Sequence, residues 1–188
     1  VSVFKEELIK SPAIVSASAA YSVPGSSSDG SMYIKDNNTP DEMYHFFRLC
    51  GDYDYLETMG IPLVAGRDFF EESEAEHNSI IVNEAAIKEL AYDNPIGRKL
   101  FDPGADEGFT IIGVVKDFHN GSLMDEISPL IIYHPDRWYK EFMVIRIQPE
   151  NVAGTLGFIK EKWSDLAGNQ PFEYFFMDQR FAQQYADD

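Results

Sequence analysis

The chain has one cysteine, Cys50, so no internal disulfide can form. That excludes a disulfide-stapled scaffold, but leaves the compartment open, because many extracytoplasmic domains lack disulfides. Cys50 reads as a small buried apolar residue at a strand end. Basic residues are also scarce, at 15 against 32 acidic, for a net charge of −17. A surface this negative repels phosphate backbones and anionic membranes, so no nucleic-acid partner is expected. No apolar run is long enough to cross a bilayer, and nothing has the order of a signal peptide. Val1 opens inside a helical phrase and Asp188 follows another, which suggests a soluble segment of a longer protein.

Catalytic signatures are missing too. There is no GxSxG elbow and no HExxH helix. The loop Pro24–Gly30, PGSSSDG, lacks the lysine and the strand–helix setting of a phosphate loop, so ATP hydrolysis is not expected. His77, His119 and His134 are far apart in sequence. Asp117 and His119 share one face of a strand, which falls short of a zinc ligand set. Carboxylates cluster in loops such as EESEAEH, the pattern of a solvated surface rather than of acid–base catalysis. No catalytic residue, metal or cofactor is assigned.

What is present is enough apolar material for a core. Of 188 residues, 44% are hydrophobic, which suits one domain or two small interlocked ones. Aromatics make up 14% and gather at YHFF, DYDY and FEYFF, where core packing explains them better than a ligand groove. VFKEELIKS has helical spacing, and Pro12 stops it. AIVSASAAYSV, SMYIKD and MYHFFRLC read as strands. GDYDYLETMG reads as a short helix with Asp52 as N-cap and Gly60 at the left-handed C-terminal position.

IPLVAGRDF is a strand and turn shaped by Gly66 and Arg67, and Arg67 invites an ion pair with a nearby carboxylate. SIIVN is a buried strand. Asn83 caps the helix EAAIKELA, and Glu84 adds charge at its positive end. Pro95 and Gly97 fix a reversal. FTIIGVVKDF, with Gly113 at its centre, is apolar on both faces and so central in a sheet. LIIYH is another strand. EFMVIRIQP is a strand with Phe142, Val144 and Arg146 on one side and Met143, Ile145 and Ile147 on the other. NVAGTLGFIKEKWSDLAG is an amphipathic helix with a stripe of Val152, Leu156, Ile159, Trp163 and Leu166. Gly154 and Gly157 weaken it, and close approach to a sheet would offset that. FEYFFMD reads as a last strand, and QRFAQQYADD as the start of a terminal helix. Strands and helices mix without a parallel repeat, so the class is α+β.

Three phrases in order carry a resemblance. They are GDYDYLETMGIPLVAGRDFF (Gly51–Phe70), SIIVNEAAIKEL with NPIGRKL (ending at Leu100), and FTIIGVVKDFHNGSLMDEISP (ending at Pro129). With VPG at Val23–Gly25 and the closing FMDQRFAQQY, the chain resembles the periplasmic core domain of MacB/FtsX-like ABC-transporter permeases. The resemblance implies a domain between two transmembrane helices, on the periplasmic side of the bacterial inner membrane. It implies a porter-like subdomain from residues 1–68 and 141–188, with a second mixed α/β subdomain, 69–140, inserted in its middle. It implies a non-catalytic role, coupling ATP-driven helix motion to export or to partner engagement. The implied partners are the flanking transmembrane helices, a cytoplasmic ATP-binding subunit or domain, a second permease copy and a periplasmic adaptor. The recurring residues, Gly51, Asp52, Gly60, Gly66, Arg67, Asn83, Glu84, Pro95, Gly97 and Gly113, are structural in this reading. A stand-alone extracytoplasmic module that binds a ligand or peptide is the alternative.

Overall fold

The computed structural model describes residues 2–25, 30–35, 42–70, 76–121, 126–137, 139–168 and 170–184. The tip of PGSSSDG, the turn DNNTPD, the start of EESEAEH and the stretch after Gly121 lie outside the described residues. The elements run α1 (Ser2–Leu8), β1 (Ile14–Ala20), β2 (Gly30–Ile34), β3 (Met43–Cys50), α2 (Tyr55–Met59), β4 (Leu63–Gly66), β5 (Ser79–Asn83) and α3 (Glu84–Leu90). They continue with β6 (Lys99–Leu100), β7 (Phe109–Val115), β8 (Leu130–Tyr133), β9 (Phe142–Ile147), α4 (Val152–Ala167) and α5 (Met177–Gln184). This is an α+β fold.

Seven strands form one mixed sheet in the order β2-β3-β8-β5-β7-β4. β6 pairs a different stretch of β7, Thr110 and Phe109, while β4 pairs Val115 to Gly113. The sheet draws β2–β4 from the first third of the chain and β5–β8 from the middle. β1 and β9 pair antiparallel as a separate two-stranded sheet.

Alternation along the strands stacks these parts into layers. Ile80 and Val82 of β5 and Ile131 and Tyr133 of β8 face α3, where Ala86 and Leu90 complete the first core cluster. Ile81, Leu130 and Ile132 face the other way, onto Tyr55 and Leu56 of α2. Both faces of the central strands are therefore covered, which is why β5 and β8 contain no exposed residue. β9 splits as its sequence suggests. Phe142 and Val144 pack on the α2 side, while Met143, Ile145 and Ile147 pack beneath Phe4 and Leu8 of α1 and Ile159 of α4. Each fully buried side chain of this size contributes about 1.5–3 kcal/mol.

Four expectations need correction. FEYFFMD makes no ladder. Residues 171–176 pair with no strand and lead into α5, with Phe172 and Tyr174 rings 5.6 Å apart and Phe175 edge-on to Phe142 at 6.3 Å. Period-two aromatics enforce extension, but a strand needs a backbone partner. Leu166 is 47% exposed and is not among the residues of the α1–α4 cluster, which Ile159 and Trp163 join. Gly154 does not approach a sheet. A Cβ there would lie 2.4 Å from Asn151 Nδ2, and Asn151 caps α4 through a 3.3 Å bond from the Gly154 N–H. Gly157 faces open space.

Asn83 shows how tightly the centre is specified. It is fully buried between β5 and α3. Its Oδ1 accepts from the Ala86 and Leu130 N–H groups, each at 3.0 Å, and its Nδ2 donates to Ser128 O at 3.0 Å. One side chain thus caps a helix and ties it to the start of β8. Asn83→Ala is expected to cost about 3 kcal/mol, three buried hydrogen bonds at about 1 each. Urea unfolding checks this; a loss near zero contradicts the role.

Candidate functional site

The two sheets meet at Gly51. Ala20 and Gly51 form an isolated antiparallel bridge. The Tyr21 N–H donates to Cys50 O at 2.8 Å and the Asp52 N–H to Ala19 O at 2.7 Å. A Cβ on Gly51 would sit 2.2 Å from the Tyr55 ring, so only glycine lets the ring close over the bridge. Tyr55 is buried and donates its hydroxyl to Ser22 O at 3.2 Å.

Asp52 locks this joint. Its carboxylate accepts from the Ala19 N–H at 2.9 Å, Ser18 Oγ at 2.6 Å and Lys5 Nζ at 2.7 Å. It also accepts from the Asp54 N–H at 3.1 Å, an Asx-turn that leads into α2. Asp52 itself therefore stands two residues before the cap position. Asp54 occupies that position with no side-chain cap bond, and its carboxylate faces Lys5 instead. Lys5 pairs with Asp54 as well. Burial alone would raise the Asp52 pKa, but the Ala19 N–H, Lys5 and Ser18 outweigh it and hold it below the ordinary 3.8. Burial lowers Lys5, yet its two carboxylates leave it above its usual value. A cleft of about 410 Å³ opens beside the joint, lined in part by Lys5, Asp52, Tyr53, Asp54 and Lys140. Lys5 and the two aspartates are already paired there, which suits a joint better than an ion site.

Further ties support it. Arg146 on β9 donates from Nε to Thr58 O at 2.8 Å, placing a cation at the C-terminal turn of α2. Gly60, left-handed at φ 69°, ends that helix where a Cβ would meet Arg146 Nη2 at 2.6 Å. Arg180 on α5 donates to Gly25 O at 3.1 Å.

A family profile described as the MacB-like periplasmic core domain matches residues 3–157. The chain belongs to the MacB-like periplasmic core domain family. Solved structures agree in fold. The periplasmic region of MacB from Actinobacillus actinomycetemcomitans superposes with a TM-score of 0.67 at 16% identity, covering 100% of this chain and 82% of that one. The extracellular domain of the noncanonic ABC-type transporter YknZ, from Gram-positive bacteria, gives 0.64 at 10% identity, covering 89% and 84%. Curated protein sequences give no match. The chain is thus an extracytoplasmic domain of a MacB-like ABC-transporter permease, a setting that implies transmembrane and ATPase partners. No helix among its described residues is long and apolar enough to cross a membrane.

The remaining motif residues of this core domain lie in or beside the large sheet. Gly66, at φ 72°, pairs with Gly113, and a Cβ on Gly66 would lie 2.2 Å from Ile112 O. Arg67 follows, bonding Asp68 O at 3.0 Å through Nη1 and pairing with Glu76 through Nη2. Glu76 is not solvated, as the acidic run suggested. It is 6% exposed, because Arg67 and the Phe70 N–H, at 3.0 Å, satisfy both its oxygens. Burial raises Glu76, but those two donors leave its pKa lowered. Glu84 accepts from the Asp117 N–H at 3.1 Å, and Asp117 returns a bond from the Ala85 N–H at 2.8 Å. Asp117 thereby ties the segment after β7 to the start of α3. Pro95 and Gly97 turn the chain into β6 through the Arg98 N–H to Pro95 O bond of 3.0 Å.

Among the described residues one set of metal-ligating side chains converges: His77, His134 and Asp136. Sequence reasoning missed it, along with Lys5, Glu76 and Arg146. The one available cue was a His-Pro-Asp run directly after a buried strand.

Asp52 makes the joint acid-sensitive. Its folded pKa is depressed, so its contribution is complete above 3.8 and fades as pH falls through the lower folded value. Asp52→Ala is expected to cost about 3 kcal/mol at neutral pH. Asp52→Asn should flatten the acid limb of stability against pH. Equal acid limbs in wild type and Asp52→Asn would exclude the assignment.

Proposed function

We propose that this core domain transmits ATP-driven movement of the permease's membrane helices to substrates or partners outside the membrane, without chemistry of its own. The Asp52 joint carries this reading. α1 and β1, at the start of the chain, reach the seven-stranded sheet through Asp52, Lys5 and the Gly51 bridge. A displacement applied to the first helix therefore reaches the large sheet through a stiff polar connection. Arg146 and Arg180 supply parallel connections from β9 and α5. The porter-like unit of 1–68 and 141–188, with 69–140 inserted, is part of the proposal. β1–β9 pairing and the packing of α1 on α4 support joining the two ends, while β2–β4 splice that unit into the sheet of the insert. A second permease copy and a periplasmic adaptor are the partners proposed for the moving surface.

The test uses the full permease with its ATP-binding unit in nanodiscs. One spin label replaces exposed Lys99 on the large sheet, and a second marks the outer end of a membrane helix. Trapping ATP should shift the distance between them. In Asp52→Ala the shift should shrink while ATP hydrolysis persists. An unchanged distance in the wild type across nucleotide states overturns the reading.

A further inference from the structure

Beyond the joint, the C-terminal end of β8 gathers side chains that neither packing nor transmission requires. β5 and β8 pair antiparallel, with Ile80 opposite Tyr133. The residues just before β5 and just after β8 therefore emerge side by side. His77 comes from the first group. His134 and Asp136 come from the second, with Asp136 in a single 3₁₀ turn, Pro135–Arg137. One nitrogen from each imidazole and one carboxylate oxygen lie within 4.8 Å of one another.

The chemistry of the set is specific. His134 is 1% exposed, and its Nε2 has no hydrogen-bond partner among the described residues. Its Nδ1 faces Asp136, accepting from the Asp136 N–H at 3.4 Å and lying 3.9 Å from Asp136 Oδ2. Tyr53 and Phe69 stand edge-on to its ring at 6.0 and 5.5 Å, and the His77 ring stacks on it at 4.8 Å. These neighbours fix the ring. Two cations near the group are engaged elsewhere: Arg67 with Glu76, and Lys140 with Pro135 O and, at 3.6 Å, Cys50 Sγ. His77 and Asp136 are exposed. Closing from within 4.8 Å to the roughly 3.3 Å spacing of ligands on a tetrahedral zinc therefore falls to the two exposed side chains, Asp136 above all.

We propose that His77, His134 and Asp136 bind a divalent transition-metal ion, with zinc the best match to two imidazoles and one carboxylate. A fourth position stays open for water or for a side chain of a docked partner. Such a site would clip the start of β5 to the end of β8. The proposal does not rest on the transmission reading, since it concerns this chain alone.

Calorimetric titration of the chelator-stripped chain with zinc alone tests it, near neutral pH. One equivalent should bind and raise the melting temperature. His77→Ala and Asp136→Ala, both at exposed positions, should each weaken binding by at least about tenfold while the chain stays folded. His119→Ala should leave binding unchanged. Cobalt should give visible absorption bands that His77→Ala removes. Magnesium in about a hundredfold excess should not displace zinc, because it prefers oxygen ligands. Absence of saturable binding, binding unaffected by the two substitutions, or displacement by magnesium would each overturn the site.

Discussion

A single carboxylate, Asp52, holds the joint between the two sheets of this domain. Asp52 is partly buried, and burial by itself works against its charge. It stays ionised because a backbone N–H, a serine hydroxyl and a lysine ammonium converge on it. Those three donors come from β1 and α1, whereas Asp52 comes from the turn after β3. The charge therefore serves as a connector as well as a turn residue. Small side chains make the connection possible. Ala19, Ala20 and Gly51 let two backbones approach, and the Tyr55 ring seals the contact where any side chain on Gly51 would collide with it.

The same economy recurs around the large sheet. Asn83 serves a helix and a strand with one amide. Glu84 and Asp117 exchange backbone bonds between α3 and the segment after β7. Arg67 and Glu76 close the ends of a long connection at the far edge. Each device sits where a strand ends, because backbone groups there lose their ladder partners. These ties join the layers through specific polar contacts, which is what the proposed transmission would need. Charge fits the same picture. A chain at −17 stays dispersed and repels anionic surfaces, leaving its contacts to shape and to specific pairs.

Much of this was legible in the residues. The faces of β9, the burial of SIIVN and LIIYH and the cap at Asn83 all follow from periodicity and from unsatisfied backbone groups, whereas FTIIGVVKDF is paired on both edges but lies beside edge strand β4, with β8 and β5 at the centre. The family, too, was readable from the order of three phrases. FEYFFMD was misjudged because alternation reports extension and not pairing. Glu76 was misjudged because local composition cannot show an arginine waiting nine positions away in sequence but adjacent in space. Leu166 was misjudged because a helical stripe can outrun the surface it packs on.

The sequence by itself determined the elements and their buried faces, since these depend on local spacing and on side-chain size. It also determined the family, through motifs short enough to survive as strings. Only the tertiary structure decided the contacts. Lys5 and Asp52 are 47 positions apart, and His77 and His134 are joined by the antiparallel register of β5 and β8. Register and layer order depend on the whole core closing at once, and no local window contains that information.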